Sequence, residues 1–259
     1  GPDPKPGGGC LYGGCIPSKA LLHVVGLLHE LETAEEWGIE IDGLRVNPDT
    51  LRKRKDAVVE KLTRGLGHLA RKRDIRYIRG WARFTSEDHE LQINPVDGSK
   101  ETLPFDAAII ATGSVPASIP ATIDSERVMT SRDALDLPAI PDSLLVVGGG
   151  YIGLELGQVY AAQGTAVTVA EMLPEILPGA DRDLVRPLQK RLNSQFEDIL
   201  LETKVAGMDE KEDGIEVTFE GKNAAPARMF DRVMLAVGRK PCTDTAGLEH
   251  TNIQVTDSG

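Results

Sequence analysis

A strand, three glycines and a helix in immediate succession constrain this chain more than any other feature. Leu144-Leu-Val-Val147 is an apolar run of strand length, and Gly148-Gly-Gly150-Tyr-Ile-Gly153 follows it at once, with a helix opening at Leu154. In this setting Gly148 permits the tight turn, Gly150 lets the backbone approach a pyrophosphate, and Gly153 lets the helix pack close to the strand. The helix N-terminus adds N–H groups and partial positive charge. Tyr151 and Ile152, between these glycines, join the candidate nucleotide-binding residues. The next strand, Ala166 to Ala170, ends in Glu171, 18 residues beyond Gly153. A carboxylate there accepts hydrogen bonds from the ribose hydroxyls of NAD and repels the 2′-phosphate of NADP. No Arg occurs between Glu171 and Arg182, which favours NAD. A glycine-rich turn without a ligand is the alternative reading.

The strand, helix and strand around this turn form a βαβ unit within a chain of 259 residues, enough for two ordinary domains. Upstream, leucines and valines at helical spacing predict helices over Cys15 to Trp37 and Pro48 to Arg73, the second with the apolar stripe Leu51, Val58, Leu62, Leu66 and Leu69. Short strands are expected at Arg76 to Arg79, Ala82 to Thr85 and Glu90 to Asn94, with a turn at Pro95-Val-Asp-Gly98. Phe105 to Ala111 reads as a buried strand ending in Thr112-Gly113. Residues 114–142 are proline-rich and read as a linker with one short helix near Ser131 to Leu135. A helix capped by Asp181 runs to about Gln195, and strands follow at Ile199 to Thr203, Ile215 to Phe219 and Arg232 to Val237.

Composition narrows the partners. The net charge of −11 and pI near 5.0 argue against nucleic acid, which needs concentrated Lys and Arg. The basic run Arg52-Lys-Arg-Lys55 reads as a solvated helix face. No apolar run approaches the ~18 residues that span a bilayer, so no membrane association is expected. The Pro- and Gly-rich start, Gly1 to Gly9, has no apolar core of a signal peptide and reads as a disordered leader or a remnant. Three cysteines are too few for a secreted disulfide scaffold. A reducing, cytoplasmic setting is expected.

Two of those cysteines, Cys10 and Cys15, are four residues apart. Cys15 opens a helix with Pro17 in its first turn, where helix partial charge favours a thiolate. Lys19 lies one turn further along the same face. Two nearby thiols permit disulfide exchange, one attacking and one resolving. Two ordinary buried cysteines, or half of a metal site, also fit the spacing. The metal reading lacks further ligands, because Cys242 is remote and the five histidines show no ligand spacing.

Gly8-Gly-Cys-Leu-Tyr-Gly-Gly-Cys-Ile-Pro-Ser-Lys-Ala-Leu-Leu22 resembles the active-site segment of dihydrolipoamide dehydrogenases, class I flavoprotein pyridine nucleotide-disulfide oxidoreductases. Ala111-Thr-Gly113, Gly148 to Glu155 and Val237-Gly-Arg-Lys-Pro241 follow in the same order as in that family. The resemblance covers nearly the whole chain after residue 7. Leu11 and Ile16 favour the lipoamide branch over mercuric reductases. The resemblance implies an α/β architecture, an incomplete FAD-binding Rossmann-like domain with an inserted NAD-binding Rossmann-like domain. Residues 1–118 would be the partial FAD domain with the redox-active disulfide, 119–241 the NAD domain, and 242–259 the return to the FAD domain.

It further implies that Cys10 is the interchange thiol facing substrate and Cys15 the thiol facing the flavin. Lys19 would sit at the flavin and pair with Glu155. Tyr151 is placed where relatives have a tyrosine over the nicotinamide pocket, and Thr112, Gly113 and Gly238 join the cofactor-binding set. FAD and NAD are the implied cofactors. The lipoyl domain of a 2-oxoacid dehydrogenase complex and a second copy of the full-length subunit are the implied partners. The family usually has Asn-Val where this chain has Tyr12-Gly13. It also has an N-terminal FAD fingerprint and a C-terminal interface domain not found in these residues. The isolated polypeptide is therefore expected to be an impaired, aggregation-prone fragment of an NAD-dependent dihydrolipoamide-oxidising enzyme. A non-catalytic NAD-binding fragment and another flavin disulfide reductase, such as mercuric reductase, are the alternatives.

Overall fold

The computed structural model describes the chain except residues 1–5, 41, 42, 44, 86–88, 223, 225, 245 and 257–259. The start of the expected leader lies outside the described residues. In chain order the helices and strands are α1 (Gly9–Gly13), α2 (Cys15–Ala34), α3 (Pro48–Lys72), β1 (Gly80–Phe84), β2 (Glu90–Pro95), β3 (Glu101–Pro104), β4 (Ser114–Pro116) and β5 (Val128–Thr130). Then come α4 (Ser131–Leu135), β6 (Ser143–Val147), α5 (Tyr151–Ala161), β7 (Ala166–Ala170), α6 (Arg182–Gln195) and β8 (Asp198–Leu200). The chain continues with β9 (Thr203–Lys211), β10 (Gly214–Gly221), β11 (Arg228–Phe230), β12 (Arg232–Leu235) and β13 (Arg239–Pro241). The contacts divide it into two compact units, one of residues 1–12, 59–115 and 239–259, the other of 13–58 and 116–238.

The second unit is built on a five-stranded parallel sheet, in the order β5-β12-β6-β7-β8. Its central strands are apolar on both faces, as a covered parallel sheet requires. Alternation along β6 sends Leu144 and Val146 into a core shared with α2, α4, α5 and α6, while Leu145 and Val147 enter a second core. That second core lies against the antiparallel sheet β11-β10-β9, through Val205, Ile215, Val217 and Phe230. The expected α/β class is therefore present. Tyr160, fully buried on α5, donates to the Ala134 carbonyl at 3.0 Å, and burial pushes its phenol pKa upward.

Helix α2 contributes Leu21, Val25 and Leu28 to the buried set. Gly9–Leu31 is, by length and composition alone, apolar enough to cross a bilayer, with mean hydropathy 1.3. The expectation of no such stretch is thus corrected. Within this stretch Leu21 and Val25 pack with α5 residues, while Leu27 and Leu31 are exposed.

The basic run on α3 is also corrected. Lys55 is only 4% exposed and donates to the Leu135 carbonyl at 3.0 Å and to Asp136 at 3.2 Å. Arg52 donates to the carbonyls of Asp136 and Leu137. Both cations satisfy carbonyls at the end of α4 instead of facing solvent. Lys53 and Arg54 are exposed, as expected.

The first unit holds the antiparallel sheet β1-β2-β3 and the short β13-β4 pair. The expected strand at Arg76–Arg79 is not formed, because those residues run past the end of β2, where the chain turns at Gly98 (φ +83°). Phe105–Ala111 is not a strand either. Ile109 is 95% exposed, and no strand among the described residues pairs with this segment. An apolar run becomes a strand only where a neighbour completes its ladder.

Candidate functional site

Helix α5 begins at Tyr151, one turn earlier than the sequence suggests, with Gly150 as its N-cap in extended backbone and no side-chain cap. Its first N–H groups are thus left to the loop. Gly148 has φ +109°, and a Cβ there would stand 2.5 Å from the Ala236 carbonyl oxygen. A Cβ on Gly153 would come within 2.3 Å of the Gly148 carbonyl oxygen and 2.9 Å of Val146. These glycines bring strand, turn and helix into direct backbone contact. Gly150 differs, since a Cβ there would meet nothing within 4 Å. Open space at an uncapped helix N-terminus fits an approaching pyrophosphate.

Glu171 closes the loop from below. It is 7% exposed, and its two carboxylate oxygens accept from the N–H of Gly149 at 2.6 Å and of Leu173 at 2.8 Å. A Cβ on Gly149 would press on Glu171 and Ile176 at 3.1–3.2 Å. Gly149 is thus a site residue that the fingerprint alone does not single out. The run of three consecutive glycines was its signal. Arg182, the first arginine after Glu171, donates to the carbonyls of Ile176, Leu177 and Ala180 and pairs with Glu175 at 2.9 Å.

Cys15 is the first residue of α2, and the Ser18 N–H donates to the Gly14 carbonyl to close the first turn. Cys10 lies within α1, and both cysteines are exposed. One turn into α2, the Lys19 ammonium donates to Glu155 Oε1 of α5 at 2.5 Å. The ion pair implied by the resemblance is present. It ties the helix that begins at a thiol to the helix that begins at the glycine turn. Tyr151 is 65% exposed at the head of α5, and Ile152 is half-buried beside it.

Thr112 and Gly113 are exposed. Gly113 has φ +78° with open space where a Cβ would stand, and its carbonyl accepts from the Cys242 N–H at 2.9 Å. Gly238 (φ +117°) is likewise open and accepts from Ala117 at 3.0 Å. Both positions fit the close approach of a flat cofactor to backbone.

A covered parallel sheet, a glycine turn at a helix N-terminus and a thiol-headed helix paired to it through Lys19 and Glu155 thus stand together in the second unit. The chain belongs to the pyridine nucleotide-disulphide oxidoreductase family, whose model matches residues 5–259. It is 42% identical over 254 residues to a dihydrolipoyl dehydrogenase of Haemophilus influenzae, covering 98% of this chain and 53% of that one. It is 41% identical over 256 residues to one from Haloferax volcanii, covering 98% and 54%. Among solved structures, LpdA from Mycobacterium tuberculosis superposes with a TM-score of 0.84 at 25% identity, over 98% of this chain and 55% of that one. The HOCl-induced flavoprotein disulfide reductase RclA from Escherichia coli does so with 0.80 at 26%, over 99% and 54%. The chain spans about half the length of the curated relatives it matches.

Proposed function

We propose that this chain carries the thiol and nucleotide parts of an enzyme that oxidises protein-bound dihydrolipoamide with NAD⁺. The observation that carries this reading is the Lys19–Glu155 pair, which joins the thiol helix to the nucleotide helix. The curated relatives named dihydrolipoyl dehydrogenase support the substrate class.

In this reading Cys10 and Cys15 cycle between disulfide and dithiol. A substrate thiolate attacks the Cys10 sulfur, the Cys10–Cys15 bond breaks, and Cys15 leaves with the electron pair as a thiolate. The second substrate thiol then displaces Cys10 from the mixed disulfide, so lipoamide leaves with its disulfide closed. Two electrons and two protons have passed to the protein. The N-terminal partial charge of α2 stabilises Cys15 in its thiolate form. FAD, when bound, supplies the carrier that converts this electron pair into a hydride for NAD⁺. Lys19, Thr112, Gly113 and Gly238 would hold it. Gly148, Gly150, Tyr151, Ile152 and Gly153 would hold the NAD pyrophosphate and nicotinamide ends, with Glu171 on the ribose. Residues 1–118 and 242–259 belong to the FAD part of this assignment and 119–241 to the NAD part. A cytoplasmic location, a lipoyl-domain partner and a homodimer of the full-length protein complete it.

Residues 1–259 alone should turn over little, because the segment leading to Thr112-Gly113 is exposed and no strand among the described residues pairs with it. The test is NAD⁺-dependent oxidation of dihydrolipoamide by the purified polypeptide, with flavin content measured by absorbance. Full activity with bound flavin would overturn the impairment. The likeness to RclA favours a second reading, a flavin disulfide reductase with another disulfide substrate. Reduction of a panel of disulfides by NADH, lipoamide included, separates the two.

A further inference from the structure

The glycine turn is held from one side by a loop that the nucleotide fingerprint does not include. Gly149, its middle glycine, has both backbone groups engaged. Its N–H donates to Glu171 Oε2 at 2.6 Å, and its carbonyl accepts from the Leu177 N–H at 2.9 Å. The second bond fixes the peptide plane between Gly149 and Gly150. In a trans peptide the C=O and the following N–H point to opposite sides. A carbonyl turned toward Leu177 therefore turns the Gly150 N–H away from it. Among the described residues that N–H has no hydrogen-bond partner. Gly150 stands at the uncapped start of α5, where a Cβ would meet nothing within 4 Å. All of these residues belong to one compact unit.

Leu177 does not reach Gly149 by its own preference. Its φ is +49°, in the left-handed region that a leucine rarely adopts. Its surroundings hold it there. Ile176 is fully buried and packs on Gly149, whose Cβ would stand 3.1 Å from it. The Ala180 N–H donates to the Leu177 carbonyl at 3.1 Å. Arg182 spans the whole loop. Its Nη1 donates to the Ile176 carbonyl at 3.1 Å and its Nη2 to the Leu177 carbonyl at 2.6 Å. Its Nε and Nη2 donate to the Ala180 carbonyl at 3.0 and 2.8 Å. Glu175 pairs with Nη1 at 2.9 Å on the same guanidinium. A planar fork with five N–H donors in fixed directions suits this task.

We propose that Arg182 is a positioning residue for nucleotide binding. Through Leu177 and Gly149 it sets the Gly150 N–H in the orientation that receives a pyrophosphate. The inference rests on the NAD reading above and adds a residue outside the fingerprint. The guanidinium is spent on carbonyls and on Glu175, so it acts through the turn and not through its charge on the ligand.

The test is calorimetric titration of the 259-residue chain with NADH, together with proton–nitrogen correlation spectra of the Gly150 amide. Arg182→Ala should weaken NADH binding about tenfold, as a turn in the receptive orientation about a tenth of the time implies. Arg182→Lys should weaken it about threefold, because an ammonium spans fewer carbonyls than a fork. The lysine variant alone decides the matter where Arg182→Ala does not fold. Both losses, relative to the parent, should be the same at about 0.05 and about 0.5 M salt, since no attraction to the ligand's charge is removed. The Gly150 signal of the unliganded variants should shift or broaden while those of β6 and β7 stay in place, which a general loss of stability does not produce. A folded variant that binds NADH within about twofold of the parent overturns the role of Arg182 alone. So does a loss that disappears at high salt, or a Gly150 signal that does not move. A folded parent that binds no NADH overturns the nucleotide reading and this inference with it.

Discussion

Lys19 and Glu155 meet at 2.5 Å although 136 residues separate them in the chain. The lysine side chain is 59% exposed, so the pair is screened by water and adds little to stability. A double-mutant cycle with Lys19→Met and Glu155→Gln, followed by urea unfolding, should give a coupling of about 1 kcal/mol or less. A pair placed there for chemistry, not for stability, gives that result.

The glycines of the turn should separate into two kinds. Gly153→Ala forces a methyl into the Gly148 carbonyl and Val146, and should cost about 2 kcal/mol or more while abolishing NADH binding. Gly150→Ala meets no protein atom and has ordinary φ, so its melting temperature should stay near that of the parent. Its NADH affinity should still fall about tenfold or more, because the methyl takes the ligand's space. Thermal melts and calorimetric titration of both variants check this contrast.

Lys55→Met should destabilise the chain by about 1–3 kcal/mol, since it strips the Leu135 carbonyl of its donor. Lys53→Met, on the exposed side of the same helix, should change stability by less than about 0.5 kcal/mol. Chemical denaturation of the two variants distinguishes a clasp from a solvated face.

Burial holds the Tyr160 phenol pKa above its unfolded value. The neutral form is therefore favoured by folding. Its contribution is fully present below the unfolded pKa of about 10 and is lost as pH rises above it. Melting temperature should thus fall more steeply above about pH 10 in the parent than in Tyr160→Phe. The variant should be less stable at neutral pH, having lost the bond to Ala134.

The parts of the fold legible in the sequence were those specified locally. The turn at Gly148–Gly153 and the short helix Ser131–Leu135 are set by glycines, a cap and flanking prolines, all within a few residues. Strand β9 was not legible. A bulge at Ala206 breaks its alternation, so buried Val205 and Met208 fall three residues apart and the period-2 signal disappears. Phe105–Ala111 misled in the opposite way, since its composition suits a strand but pairing is a property of neighbours. At the site, Lys19 was placed by its helical spacing from Cys15, but its pairing with Glu155 was reached only through resemblance, because spacing cannot bring together residues so far apart.

Nucleotide binding by the 259-residue chain is the most direct measure of the assigned site. Calorimetric titration with NADH and NADPH should show saturable NADH binding and at least about tenfold weaker NADPH binding, with the preference reduced in Glu171→Ala. NADPH binding as tight as NADH, or no binding of either by a folded chain, would contradict it.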